Sequence, residues 1–153
     1  MAALKDQLRA DLTAAMKARD DVRTRTIRSA LTAVSTAEVA GRTSRELSDD
    51  EVVTVLAKEA KRRREAADAF TAAGRTEQAS AERAEGGILD AYLPDQLGDE
   101  EIAALVTAGI EQTGAAGMKA MGQVRKVVTA QTAGRADGGR VAAEVRRQLS
   151  LPG

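Results

Sequence analysis

The sequence predicts an all-α protein, with an N-terminal four-helix part followed by a small three-helix tail domain. Three observations support this fold class. Apolar residues recur at helical spacing along most of the 153 residues, charged residues make up 30% of the chain, and aromatic residues make up 1%. The core must therefore be built from Ala, Val, Leu, Ile and Met, a composition that suits helices better than strands.

The first two helices are predicted at residues 2–18 and 20–40. An apolar residue recurs every four positions along the first helix, giving one stripe of Leu4, Leu8, Leu12 and Met16. The Asp20-Asp21 pair suits the positive end of the second helix dipole. The inward side chains of that helix are expected to be Val22, Ile27, Ala30, Leu31, Val34 and Ala37, with Gly41 as the residue that ends it.

The third and fourth helices are predicted at residues 48–72 and 76–92, joined at Gly74. A capping box starts the third helix, because the Ser48 oxygen can accept from the N3 amide while Glu51 reaches back. Two glycines inside the fourth helix cost about 1 kcal/mol each relative to Ala, which indicates close helix contact or a kink. The expected core of this pair is Val52, Val53, Leu56, Phe70, Ile88, Leu89, Tyr92 and Leu93.

Charge is concentrated on these two helices. We interpret the dense run as a structural network in which bases of the third helix pair with acids of the fourth, formed by Lys61, Arg62, Arg63, Arg64, Glu82 and Glu85. Phosphate binding by the same run is the alternative, although nearby acids weaken its field. A second group, formed by Arg19, Arg23, Arg25 and Arg28, is interpreted as a solvated face.

A domain boundary is predicted between Pro94 and Gly98, since eleven of the 13 glycines follow residue 85. The predicted domains are residues 1–93 and 97–153. The tail helices are expected at residues 99–113, from about 118 to 132, and after the N-cap Asp137. Their inward side chains are expected to be Ile102, Leu105, Val106, Ile110, Met121, Val124, Val127, Val128, Val141, Val145 and Leu149.

The tail is polarised along its sequence although the whole chain is neutral. All five charges from Pro94 to Glu111 are acidic, whereas residues 118–147 carry seven bases and two acids, a net charge of +5. The candidate nucleic-acid-binding residues are four bases and two glycines at turns, namely Lys119, Gly122, Lys126, Arg135, Gly138 and Arg140. The alternative is that Gly122 packs tightly on another helix and Gly138 belongs to a cap.

Several kinds of chemistry are excluded by composition. The chain has no His and no Cys, so it offers no His- or Cys-based catalytic triad and no thiolate metal site. It also contains neither G-x-x-x-x-G-K-[ST] nor G-x-G-x-x-G, the two glycine-rich sequences that cradle phosphates. We therefore predict no catalytic residues, no metal and no cofactor. The N-terminus has no apolar leader and no run reaches membrane-spanning length, so a cytoplasmic protein is expected.

The motifs resemble those of a known family. Residues 58–97 follow the pattern K-E-x-K-R-R-R-E…F-x-x-x-G-R…E-x-x-E…L-x-x-Y-L-P-x-Q-L, and Met118-Lys119-Ala120-Met121-Gly122 and Gly134-Arg135-Ala136-Asp137-Gly138 follow. Together they resemble the YqeY family, which is similar to the C-terminal region of the B subunit of the glutamine-dependent aminoacyl-tRNA amidotransferase. The resemblance covers essentially the whole chain. It implies tRNA handling by the tail rather than catalysis.

Four positions depart from the family pattern. Ala120 and Gln123 stand where the family often has Asp and Lys, Gly98 replaces the usual Ser cap, and Asp95 occupies a position that is often basic. The first two bear on phosphate contact at the Met-Gly turn.

Three function hypotheses remain. The first is a stand-alone tRNA-binding module, related by resemblance alone to the amidotransferase, a carbon–nitrogen ligase. The alternative is a helical protein-interaction module without nucleic-acid binding. The third is a ligase component that is active only with further subunits. The candidate partners are thus tRNA and protein.

Overall fold

The computed structural model describes residues 3–114 and 116–151, and its regular structure there is helical throughout. The predicted all-α fold class is confirmed. The α-helices are α1 (Ala3–Lys17), α2 (Asp21–Glu38), α3 (Asp49–Ala72), α4 (Thr76–Asp90), α5 (Asp99–Thr113), α6 (Met121–Thr132) and α7 (Gly138–Leu149). A 3₁₀ turn, Met118–Ala120, precedes α6. Residues 1, 2, 115, 152 and 153, which the predicted helix, loop and domain ranges include, lie outside the described residues.

Contacts between Cα atoms divide the chain into two compact units, Met1–Leu93 and Pro94–Gly153. In the first unit, α3 and α4 form the most extensive helix pair. Its core is aliphatic and includes Leu8, Ile27, Ala30, Val34, Leu47, Val52, Leu56, Ala60 and Leu89. The domains predicted at residues 1–93 and 97–153 stay a prediction, because contacts alone do not show that each part folds on its own.

Local signals fixed the start of α3. Ser48 Oγ accepts from the Glu51 amide at 3.3 Å, and Glu51 Oε1 accepts from the Ser48 amide at 3.2 Å, which is the predicted capping box. Leu47 is buried just before this cap, where its amide donates to Glu38 Oε2 at 3.1 Å. Glu38 also accepts from Lys5, so the ends of α1, α2 and α3 meet at one carboxylate.

Three predictions for the first unit are wrong. Met16 is 49% exposed and Val22 is 38% exposed, although both were expected to point inward. Helix α2 ends at Glu38 with Val39 as its C-cap, so Gly41 does not terminate it. The two exposure errors share a cause, since helical spacing gives a face but not how far a neighbouring helix covers it.

The second unit has a core made largely of valine. Its buried apolar residues are Leu97, Ile102, Val106, Val124, Val128, Val141, Val145 and Leu149. Helices α5 and α6 pack closely at Gly109, where an added Cβ would lie 2.8 Å from Val128 Cγ2. Asp137 caps α7 as predicted, accepting from the Gly139 amide at 3.1 Å.

Candidate nucleic-acid interface

The six candidate residues lie near helix α6, divided between its two ends. Lys119 and Gly122 are at the N-terminal end and Lys126 is one turn further along. Arg135, Gly138 and Arg140 follow the C-terminal end. Because α6 has 12 residues and a helix rises about 1.5 Å per residue, its two ends are roughly 18 Å apart.

The N-terminal group is open to solvent. Lys119, Gly122 and Lys126 are all exposed. The side chains of the two lysines make no hydrogen bond or ion pair within the described residues. A Cβ added to Gly122 would meet nothing within 4 Å, so the alternative that Gly122 is a tight helix-packing position is wrong. That role belongs to Gly109 instead.

Two further cations belong near this end. Arg125 and Arg146 are exposed and make no hydrogen bond or ion pair through their side chains in the described part of the chain. Arg146 is in the last turn of α7, and this turn lies against the 3₁₀ turn, with Ser150 Oγ 3.5 Å from Met118 Sδ. The sequence could not single these residues out, because it does not show which bases have acids beside them.

The C-terminal group is already engaged. Arg140 donates to the Leu97 carbonyl at 3.1 Å and to Asp99 Oδ1 at 2.6 Å. The Arg135 carbonyl accepts from the Leu97 amide at 2.7 Å, and Gln96 Nε2 donates to the Gly134 carbonyl at 2.9 Å. These bonds fasten residues 96–99 to the α6–α7 turn, so Arg135 and Arg140 have structural partners that the sequence does not show.

The Asp99–Arg140 pair also corrects an expectation about charge. The separation of acids and bases along the tail sequence predicts that the acids at the start of α5 lie on a different face from the bases of α6 and α7. At this point the two meet. Arg147 is paired too, since Glu144 accepts from its Nε at 2.9 Å, and this bond lowers the pKa of the Glu144 carboxyl. Most of the tail's positive charge without a carboxylate partner therefore lies at the N-terminal end of α6 and its surroundings, whereas Arg135 donates through Nε to the Asp95 carbonyl at 3.5 Å.

The charged run of α3 has a different arrangement. Arg63 Nη1 contacts Glu82 at 3.2 Å and Glu85 at 2.5 Å. Glu85 is buried, and Arg25 of α2 donates to it at 2.9 Å, so one carboxylate ties α2, α3 and α4 together. Arg25 was not among the residues that the sequence assigned to this network, because it is 60 positions away.

The other bases of the run bind elsewhere or only locally. Arg64 lies 3.6 Å from Asp90, and Arg62 lies 3.4 Å from Glu59 of its own helix. Lys61 has a partner as well. The run is thus mostly occupied by carboxylates of the same unit, with Arg63 at its centre.

The described residues form neither a metal-binding cluster nor a membrane-spanning helix. Within residues 3–114 and 116–151 no group of three or more acidic side chains is placed to hold a metal ion. Of the described helices, none combines the length and apolar character needed to cross a bilayer.

A family model described as Yqey-like protein matches residues 5–149 of this chain. The match covers both units and all the candidate residues. No curated protein matches the chain.

Proposed function

This chain belongs to the YqeY family, and we propose that it acts as a stand-alone module that binds tRNA through phosphates. The binding surface is the end of the tail formed by Lys119, Gly122, Arg125, Lys126 and Arg146, named here the α6 basic end. We choose tRNA as the ligand because the YqeY family resembles the C-terminal region of the amidotransferase B subunit. A cytoplasmic location is part of the same proposal.

The observation that carries the proposal is the lack of partners for these cations. Most bases on α3 have a carboxylate within ion-pair distance, whereas Lys119, Arg125, Lys126 and Arg146 make no ion pair within the described residues. A cation without a protein partner can neutralise a phosphate without first giving up an existing contact. Each such neutralisation releases a counterion, which is the main source of sequence-independent affinity for nucleic acids.

Gly122 supports the same surface. A glycine inside a helix costs about 1 kcal/mol relative to Ala. Neither crowding nor a positive φ requires a glycine here, because the position is open and its backbone is helical. The absence of a side chain lets a phosphate backbone approach the first turn of α6 closely.

The kind of nucleic acid follows from what the tail lacks. The chain has one Tyr and one Phe, at positions 92 and 70, so residues 94–153 contain no aromatic side chain. Stacking on single-stranded bases is then unavailable. Contacts to phosphates and 2′-hydroxyls of a folded RNA remain, and these recognise shape more than sequence.

A relation to amidotransferase chemistry enters the proposal only through an assembly. The sequence has neither His nor Cys and no nucleotide-binding loop. We propose that any role in carbon–nitrogen ligation is to hold tRNA while other subunits perform the chemistry. Release of ammonia from glutamine, or ATP hydrolysis, by the purified chain would contradict this if a point mutation in the chain abolished it.

The experiment is a salt titration of tRNA binding. We expect Lys119→Ala combined with Lys126→Ala to weaken binding and to lower the slope of log K against log salt by about two units, one per lost phosphate contact. The matched control is Lys17→Ala with Lys58→Ala, two exposed lysines of the first unit that also make no ion pair in the described residues.

The second comparison uses the two ends of α6. Arg135→Ala with Arg140→Ala should change the salt slope less, because Arg140 is already bound to Asp99 and Leu97. Binding by the Lys119/Lys126 double variant that equals the parent at every salt concentration would refute the proposal.

A further inference from the structure

An open groove runs between α1 and α2 on the first unit, with a volume of about 570 Å³. Its apolar lining is Leu12, Leu31 and Val39, and its one charged lining residue is Arg28. Hydroxyl side chains of α2 complete the wall. From the sequence, we interpret Arg28 as part of a solvated face. The tRNA proposal uses no residue of this groove.

Large apolar side chains at this groove are unusually exposed. Val39, which lines the groove, is 62% exposed, and Met16, which lies outside the lining and contacts Arg28, is 49% exposed. Both are helix-end residues that a single chain leaves uncovered. Half-buried Leu12 and Leu31 continue the apolar strip that ends at Val39, with Arg28 beside it. Met and Arg beside apolar surface are enriched at protein contact surfaces. Nucleic acid offers little to bury them.

The charge of the groove identifies its occupant. Arg28 Nη2 donates to Met16 Sδ at 3.7 Å, and Arg28 makes no ion pair within the described residues. No carboxylate lines the groove. By contrast, neighbouring Arg23 and Arg25 on the same helix each lie beside an acid. An occupant that supplies a carboxylate would give Arg28 the partner that its neighbours already have.

We propose that this groove docks an acidic amphipathic helix of a partner protein. The wall from Arg28 to Val39 spans 12 positions of sequence, which matches about three turns of a docked helix. Leu or Ile side chains at positions i, i+3, i+4 and i+7 would cover Leu12, Leu31 and Val39. Glu side chains on the edge of that face would pair with Arg28.

The experiment uses a model peptide and the methionine methyl groups of the full chain. The probe is a helical peptide of about 14 residues with Leu at the four anchor positions and Glu beside them. Its control has Lys at each Glu position. We expect the acidic peptide, at concentrations up to about 1 mM, to shift the methyl signal of Met16 and leave Met118 and Met121 of the tail unchanged.

Two variants locate the contact. Arg28→Glu should weaken binding of the acidic peptide about tenfold and improve binding of the Lys peptide. Val39→Asp should weaken both. The matched control is Arg75→Glu, the same charge change at an exposed arginine in the α3–α4 turn. Arg28 and Val39 are exposed, so these variants should keep the parent circular dichroism spectrum and melting temperature.

The outcomes are distinct from those of the tRNA experiment. Equal binding of the acidic and Lys peptides, an Arg28→Glu variant that binds like the parent, or no Met16 shift at all would each overturn the proposal. A Met16 shift produced by tRNA and not by the acidic peptide would also overturn it, and would make the groove a nucleic-acid surface.

Discussion

The charged run of α3 in the first unit and the α6 basic end in the second use their cations in opposite ways. In Met1–Leu93, the densest run of positive charge is largely bound to acids of the same unit, with buried Glu85 joining Arg25 and Arg63. In Pro94–Gly153 the bases are sparser, yet several at the α6 basic end have no acid beside them. The more conspicuous charge in sequence is the one that holds the fold.

The cores differ as well. Tyr92 packs against the aliphatic core of the first unit, whereas the tail core is built on Val, Leu and Ile and includes a glycine contact between α5 and α6. Pairing rather than density therefore distinguishes a structural cation from one available to a ligand. The predictions below test this difference, beginning with the largest expected effect.

Removing the buried carboxylate should strongly destabilise the first unit. Glu85→Ala leaves Arg63 half-buried and without its closest partner, so we expect a loss of about 2–3 kcal/mol, less than for a fully buried pair because Arg25 is mostly exposed. Urea unfolding followed by Tyr92 fluorescence reports this unit alone, since the chain has no other Tyr and no Trp.

The control for that change is Glu82→Ala. Glu82 shares Arg63 at 3.2 Å but is more exposed than Glu85, and we expect a loss of less than about 1 kcal/mol. Equal losses in the two variants would show that the buried position of Glu85 has no special weight.

Residues 94–97, which precede α5, should contribute to the stability of the tail. A fragment of residues 94–153 keeps buried Leu97 and the bonds from Gln96 and Leu97 to the α6–α7 turn. We expect it to be about 2 kcal/mol more stable than a fragment of residues 98–153, mainly through burial of Leu97. Circular dichroism during urea unfolding measures the difference.

The companion fragment tests the two-domain prediction itself. Residues 1–93 should remain helical and unfold cooperatively, because every contact of Glu85 and of the first core lies within them. If this fragment is unfolded, the prediction of two independent domains is wrong.

Two glycines of the tail should respond with opposite signs to the same substitution. Gly109→Ala places a methyl 2.8 Å from Val128, a stiff and fully buried side chain, and should cost about 1–2 kcal/mol. Gly122→Ala fills open space in a helix and should gain about 0.5–1 kcal/mol while weakening tRNA binding. The methyl signals of Met118 and Met121 follow tail unfolding in both variants.

Acid should weaken the start of α3. Arg45, and then Ser48, lower the pKa of Glu51 to about 2 from its usual 4.5. A lowered folded pKa contributes stability that is complete above the unfolded value and is lost as pH falls from about 4.5 towards 2. Arg45→Ala should reduce this loss, whereas Arg42→Ala in the same loop should not, when melting temperature is measured across that range.

Much of the fold could be predicted because its signals are local. The Ser48 and Asp137 caps depend on residues within three positions, and the α5 boundaries follow from the acids at its start and Gly114 at its end. All-α architecture follows from periodicity and composition together.

The candidate site could be predicted only in part, because its features depend on distant residues. Nothing near Arg140 in sequence shows that Asp99 and Leu97 will bind it, and nothing near Gly122 shows that the tight contact falls at Gly109. The sequence near Met16 and Val39 likewise does not show that these side chains are exposed.

The hydroxyl of Tyr92 donates to Asp11, a residue 81 positions earlier in the chain. This bond joins the first helix to the residues that follow the fourth, and α2, α3 and α4 lie between the two residues in the sequence. Closing so long a loop is entropically costly, so contacts of this separation tend to form late in folding. In a refolding experiment, the fluorescence of Tyr92 would then report the last step and should change later than the helix content rises.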